Sequence, residues 1–198
     1  MLTFKRLSSG ALHQYIDELA QLRMTVFRAF PYLYDGDKSY EARYLKTYIE
    51  APNSVIVLAF DGNKVVGAST GIPLISETPE VIQPFTDAGF DITRIFYCGE
   101  SVLLPDYRGQ GAGVAFFDHR EAHAKSLPGI THCCFCAVQR PENHPARPAD
   151  YVPLDAFWQH RGYAKCADIT TTFSWKEIGE STESAKPMTF WMKTLEQD

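Results

Sequence analysis

One short stretch limits the folds open to this chain more than any other: Pro105-Asp106-Tyr107-Arg108-Gly109-Gln110-Gly111-Ala112-Gly113. It lies between an apolar run rich in strand formers, RIFYCGESVLLP, and a helical pattern over residues 113–126. A glycine-rich turn that opens a helix leaves backbone N–H groups unpaired, with the positive end of the helix dipole beside them. Such a place can receive a phosphate. Side chains at Gly109, Gly111 or Gly113 would hold the backbone away from a ligand or force strain at positive φ. Arg108 adds a permanent positive charge. The loop is not a Walker A loop, because no Gly-Lys-Ser/Thr follows, and no early strand-turn-helix carries a dinucleotide fingerprint. Taken alone, it could also be a glycine-rich helix start with no ligand.

The rest of the chain arranges itself around this turn. Residues 2–6 read as a first strand. Ser8 and Ser9 then offer N-cap oxygens to a helix with Leu12, Tyr15, Ile16, Leu19 and Leu22 at helical spacing. That helix is expected to run toward Phe30 and stop near Pro31. A second helix is predicted over residues 38–49, with Tyr40, Tyr44 and Tyr48 along one side. SVIVLAF and KVVGASTGI, joined by Asp61-Gly62-Asn63, form a hairpin. Residues 75–93 read as a loop or short helix. The strand before the turn, the helix after it and the strand THCCFCAV make a βαβ unit. A proline-rich loop over 139–153, a short helix over 154–161 and two strands, DITTTFSWKEI and PMTFWMKTL, complete the order.

This order predicts a single α+β domain over 1–198. Residues 1–50 form its helical N-terminal segment, 54–138 its core with the glycine loop, and 139–198 a loop, a late helix and a C-terminal hairpin. At 198 residues the chain can bury a substantial core. Its 45% hydrophobic and 22% charged residues are those of a globular protein. No apolar run reaches the roughly 20 residues a bilayer needs, and MLTFKRLSSG holds no apolar stretch of signal-peptide length. Cys98, Cys133, Cys134, Cys136 and Cys166 are odd in number and crowded, which suits reduced thiols in the cytoplasm. A net charge of −5 argues against nucleic acid as a partner.

Arg108-Gly109-Gln110-Gly111-Ala112-Gly113 resembles the GNAT N-acetyltransferase signature, Arg/Gln-x-x-Gly-x-Gly/Ala after a strand. Phe157-Trp158-Gln159-His160-Arg161-Gly162-Tyr163 resembles the family's late aromatic helix. The resemblance covers most of the chain from Ser54 onward. It implies a mixed, mostly antiparallel twisted sheet with helices on both faces and a V-shaped splay between the fourth and fifth strands. It also implies acetyl-CoA as cosubstrate, with no metal. The pyrophosphate would sit on the loop formed by Arg108, Gly109, Gln110, Gly111, Ala112, Gly113 and Val114. The pantetheine arm would lie against Ser101, Val102 and Leu103 as an added strand.

Acetyl transfer to an amine requires removal of a proton from an ammonium group, polarisation of a thioester and protonation of the departing thiolate. The family places a carboxylate on the strand before the loop. Glu100 stands there, and Tyr97 occupies the neighbouring variant of that position. The family's usual acid, a tyrosine four residues before the late glycine, is here Trp158, whose indole N–H cannot give up a proton. Tyr151, Tyr163 or water could serve instead; Tyr151 is the candidate, because Tyr163 falls where the family keeps a core aromatic. The cysteines read as small hydrophobes, and His119 and His123 as part of a solvated helix face with no third metal ligand.

For the acceptor, Tyr32, Tyr34 and Asp35 supply rings and charge suited to a cation. Arg147, with Arg140, could recognise a carboxylate. The expected activity is direct acetylation of a small-molecule primary amine. A CoA-binding sensor without catalysis, and an enzyme acting on a protein N-terminus or lysine, are the alternatives. A homodimer is left open.

Overall fold

Apolar runs that alternate between two faces build a sheet with helices on both sides. The protein is described by a computed structural model for residues 1–7 and 9–196. Its strands are β1 Thr3–Leu7, β2 Val55–Asp61, β3 Lys64–Pro73, β4 Ile95–Leu103, β5 His132–Val138, β6 Ala164–Trp175 and β7 Ser184–Thr194. Its helices are α1 Ile16–Phe27, α2 Lys38–Glu50, α3 Pro79–Asp87, α4 Ala112–Ser126 and α5 Asp155–His160. The strands form one seven-stranded sheet in the order β1-β2-β3-β4-β5-β7-β6. Neighbours are antiparallel except β4 and β5, which run parallel. A parallel pair needs a crossover, and α4 supplies it.

On one face Phe116, Phe117 and Ala124 of α4 pack on Phe96, Cys98, Cys133 and Phe135, with Phe157 of α5 alongside. On the other, Leu19 and Leu22 of α1 and Leu45 and Tyr48 of α2 meet Ile56, Leu58 and Val102. Val81 and Phe85 of α3 extend this second face over Tyr97, Cys134, Cys136 and Phe190. The expected mixed sheet covered on both faces is present.

The expected splay is present too. β4 and β5 pair only at Ile95↔His132, Phe96↔Cys133 and Tyr97↔Cys134. Beyond that point β4 stays bonded to β3 as far as Leu103, and β5 to β7 as far as Val138. The sheet therefore opens into a V whose inner edges are main chain.

A bulge sits just past the point where the two strands part. Ser69 faces Ser101 and Gly71 faces Cys98, so Thr70 stands opposite both Gly99 and Glu100. The extra residue re-aims the side chains around it and disrupts the ladder. Arg120 of α4, 2% exposed, repairs the damage. Its Nη1 donates to the carbonyls of Glu100 (3.0 Å) and Thr70 (3.4 Å), and its Nε to that of Phe116 (3.3 Å).

Two elements differ from the sequence expectation. α1 is preceded by a 3-10 segment, Ser9–Tyr15, and ends at Phe27 rather than Phe30. The N–H groups of Tyr32 and Leu33 turn back to the carbonyl of Ala29, which closes the chain into a turn. The expected cap Ser8 lies outside the described residues, as do the side chains of Ser9 and Leu12. Residues 75–93, expected as a loop or short helix, contain the short helix α3, started by Pro79 at its first turn and held by Val81 and Phe85. β6 begins at Ala164, because its early residues pair with β7 before a register shift between Cys166 and Thr170.

Replacing Arg120 by Met should lower stability in urea by about 1–3 kcal/mol, because buried carbonyls lose their donor. An unchanged midpoint and slope would show that the bulge needs no such clamp.

Candidate active site

The turn before α4 is shaped by backbone conformation. Gly111, at φ 82° and ψ −2°, is the N-cap of α4, without a side-chain cap. Gly109 has φ 73°. A Cβ at either position would meet nothing within 4 Å. Glycine is required there by the positive φ, and the space before the loop is open. Gly113 differs: a Cβ there would press on Phe157 at 3.3 Å, so it sets how closely α4 approaches α5. The first turn carries no acidic residue, and its first helical bond runs from the Ala115 N–H to the Gly111 carbonyl. The N–H groups of Ala112, Gly113 and Val114 are thus left to an anion. Arg108 and Gln110 stand exposed beside them. This donor set fits a diphosphate, and the V alongside offers 98–103 as a free strand edge. Ser101 is exposed there, whereas the side chains of Val102 and Leu103 belong to the core.

Glu100 projects from the bulge on the α1–α2 face. The Tyr44 hydroxyl donates to its Oε2, and Arg23 Nη1 lies 2.8 Å from the same oxygen. Nη1 is out of line for a hydrogen bond, so that contact is electrostatic. Glu100 Oε1 accepts no hydrogen bond among the described residues. Arg23 Nε also donates to Glu41, whose carboxylate is fully buried. The guanidinium lies 3.8 Å from the centre of the Tyr44 ring. Burial opposes the Arg23 charge, but Glu100, Tyr44 and Glu41 outweigh it and raise its pKa. Tyr48 approaches Tyr44 (3.1 Å between hydroxyls) and donates to Glu77 Oε1 (2.9 Å). Gly99 makes room for this: a Cβ there would overlap the Tyr48 hydroxyl and the Thr70 Oγ1. At the point where the strands part, the Tyr97 hydroxyl meets Cys136 Sγ at 3.1 Å.

Of the other predicted residues, Tyr32 and Tyr151 pack against aromatic neighbours, and Tyr34, Asp35 and Arg140 are committed to partners. Tyr32 packs on Phe27 (4.6 Å) and Trp175 (5.9 Å), and burial pushes its phenol up. Tyr151 packs edge-on against Phe30 (4.7 Å) with Arg147 stacked on its own ring (5.0 Å). Burial raises its pKa as well. Tyr34 is buried, bridged to Glu177 and packed on Tyr40. Asp35 is paired with Lys176 (3.0 Å) and Arg28 (3.3 Å) on the rim. Arg140 pairs with Glu177 and donates to the Pro31 and Tyr32 carbonyls.

The residues weighed against catalysis pack as scaffold. Trp158 lies 5.1 Å from both Phe135 and Trp191, on the opposite face of the sheet. The Tyr163 hydroxyl donates to Glu121. His123 bonds the Asn53 carbonyl, and His119 tilts against Phe4. The Cys136 thiol is pushed up to about 12 by burial, which leaves it protonated at neutral pH. Sequence reasoning missed Arg23, Glu41, Glu77 and Arg120. The available signal was a charged residue on an apolar helical stripe, Glu41 with Leu45 and Tyr48, and Arg23 beside Leu19 and Leu22.

A turn of unpaired N–H groups beside a V-shaped sheet opening, with a carboxylate on the bulged strand, suits an acyl-CoA-dependent acyltransferase. The family model described as acetyltransferase (GNAT) matches residues 16–149, and the chain belongs to that family. Acetyl-CoA is accordingly its cosubstrate. Solved structures agree in fold. A ribosomal-protein-alanine N-acetyltransferase from Brucella melitensis superposes with TM-score 0.63 at 12% identity, over 98% of this chain and 99% of that one. Arabidopsis thaliana NAA60, solved with a bisubstrate analogue, gives 0.63 at 11% over 100% of both. The yncA protein of Salmonella typhimurium, solved with acetyl-CoA, gives 0.61 at 9% over 100% and 96%. No curated protein matches the sequence. Among the described residues, no helix is long and apolar enough to cross a membrane, and no cluster of His, Cys, Asp or Glu is suited to a metal.

Arg23→Met should cost about 3–5 kcal/mol by stranding Glu41 without a partner, and Arg23→Met/Glu41→Met should recover a large part of it. Additive losses in urea unfolding would deny the pairing.

Proposed function

We propose that this chain is an acetyl-CoA-dependent N-acetyltransferase that passes the acetyl group directly to the primary amine of a small molecule. The observation that carries this reading is Glu100. It stands on a bulge just past the point where β4 and β5 part, with Oε2 held by Tyr44 and Arg23 and Oε1 without a hydrogen-bond partner among the described residues. Acetyl-CoA supplies the acyl group as an activated thioester. The main chain of Ser101, Val102 and Leu103 would hold its pantetheine arm. The loop of Arg108, Gly109, Gln110, Gly111, Ala112, Gly113 and Val114 would hold its diphosphate.

Glu100 would accept the ammonium proton, making the nitrogen nucleophilic. Tyr151 would return a proton to the departing sulfur; burial keeps its phenol protonated at neutral pH. Tyr32 would line the acceptor, with Tyr34 as wall, Asp35 as a cation-attracting rim and Arg147 positioned over Tyr151. Buried tyrosines and a proline-rich loop packed on Phe30 favour a small acceptor over a polypeptide. The neighbour whose name points to protein acetylation shares too little sequence to carry that activity to this chain. All five cysteines are free, which supports a reducing, cytoplasmic setting.

The test is an amine screen that follows release of free thiol from acetyl-CoA. Glu100→Gln should lower kcat by about 10²–10⁴-fold while calorimetric CoA binding stays unchanged. Gly111→Val should lose binding, and the strained φ should cost about 1–2 kcal/mol of stability. Tight CoA binding without turnover of any amine would point to a sensor. Full activity in Glu100→Gln would remove the assigned base.

A further inference from the structure

The polar groups on the α1–α2 face continue past Glu100. From Glu100 the path runs to the Tyr44 hydroxyl, then to the Tyr48 hydroxyl at 3.1 Å, then to Glu77 Oε1 at 2.9 Å. Four groups from three elements form one file: β4, α2 twice, and the turn between β3 and α3. Glu77 is also fixed from behind, because its Oε2 accepts the Thr78 N–H at 3.0 Å.

Counting protons shows what this file can do. With both carboxylates ionised, the Tyr44 proton points to Glu100 and the Tyr48 proton to Glu77. The single Tyr44 proton is within reach of both Glu100 and the Tyr48 hydroxyl, so three oxygen–oxygen links share two protons. The file is one proton short of a continuous chain.

We propose that Tyr44 and Tyr48 relay the acceptor's proton from Glu100 to Glu77, which holds it at the far end of the chain before release to water. The proposal rests on the acetyltransferase reading of the site and adds the route out. In the step, an N–H bond of the acceptor ammonium breaks and its proton joins Glu100. A half-turn of the carboxyl presents that proton to Tyr44. Tyr44 then passes its own proton to Tyr48, and Tyr48 passes its own to Glu77. At the end Glu100 is again a carboxylate, both phenols are restored, and Glu77 is neutral. No oxidant or reductant takes part.

The surroundings suit these roles. Burial pushes both phenols far up, so they carry protons without holding a negative charge. Glu77 is raised by burial above the ordinary carboxylate range, further helped by Glu100 and Glu80, although its bonds from Thr78 and Tyr48 work the other way. Tyr97 of β4 and Cys134 and Cys136 of β5 also face this end of the file, and all are kept neutral by burial. At the other end Arg23 of α1 holds Glu100, beside Glu41. Tyr44, Tyr48 and Glu77 therefore act through Glu100 and do not need to touch the acceptor.

The stoichiometry separates a relay from a packing role. Acetylation of an alkylammonium ion releases one net proton, whereas an arylamine that is neutral at pH 7 releases none, since its single lost proton leaves with the thiol. Tyr48→Phe and Glu77→Gln should therefore lower kcat for alkylamines by roughly tenfold to a hundredfold and change arylamines little. In the wild type, alkylamine turnover should fall on the acid side as Glu77 becomes protonated before the reaction, and both variants should lose that limb. Activity lost in Glu77→Ala should return with added formate. Equal losses for both amine classes, with an unchanged pH profile and no rescue by formate, would overturn the relay while leaving the acetyltransferase reading intact. A second readout needs no acceptor. Infrared titration of the free protein should show a carboxyl band above the ordinary range that Glu77→Gln removes and Tyr48→Phe shifts. A spectrum identical in all three proteins would also overturn it.

Discussion

The parting of β4 and β5 after Tyr97 is the constraint on which the rest of the structure depends. Two parallel strands that stop bonding expose main-chain groups that must be satisfied in another way. Each strand keeps its outer partner, β3 or β7, so the sheet stays intact while a strand-shaped slot opens in its middle. The crossover that parallel strands require starts at the same end, and its first turn brings unpaired N–H groups to the mouth of the slot. A linear, strand-like arm with a diphosphate at one end matches that arrangement.

The bulge at Gly99 and Glu100 belongs to the same problem. It turns a carboxylate out of an otherwise apolar strand at the depth where the slot begins. That placement disturbs the ladder, and Arg120 offsets the disturbance from beneath by reaching through the core to two carbonyls. Above the sheet, Arg23 balances Glu41 and Glu100, so the buried charges are paired rather than isolated. Gly99 is the point where the two requirements meet. Its missing side chain lets Tyr48 cross the strand and reach Glu77.

What the sequence made legible follows from the range of the interactions involved. The glycine loop could be read because its signal is local: positive φ at 109 and 111, a strand before and a helix after. Glu100 could be read because a carboxylate in an apolar strand needs a reason. Arg23, Glu41 and Arg120 could not, because one charged residue on a helix resembles a solvated position until the facing element is known. Tyr48 and Glu77 lie 29 residues apart, and nothing in either segment announces the other. Asp35, beside two tyrosines, suggested a cation site, yet it is met by Lys176, 141 residues away. The prolines of α3, one of which starts it, leave the sequence of 75–93 open between a loop and a short helix. Trp158 occupies the family's tyrosine position but turns into the core between Phe135 and Trp191.

The central claim is that the slot between β4 and β5 and the turn at α4 together form one seat for acetyl-CoA. Amide hydrogen exchange with and without acetyl-CoA tests it directly. Exchange should slow at Ala112, Gly113 and Val114 and along 98–103, and stay unchanged along β1 and β6 at the sheet edges. Unaltered exchange at both the turn and the β4 edge, in the presence of saturating acetyl-CoA, would contradict it.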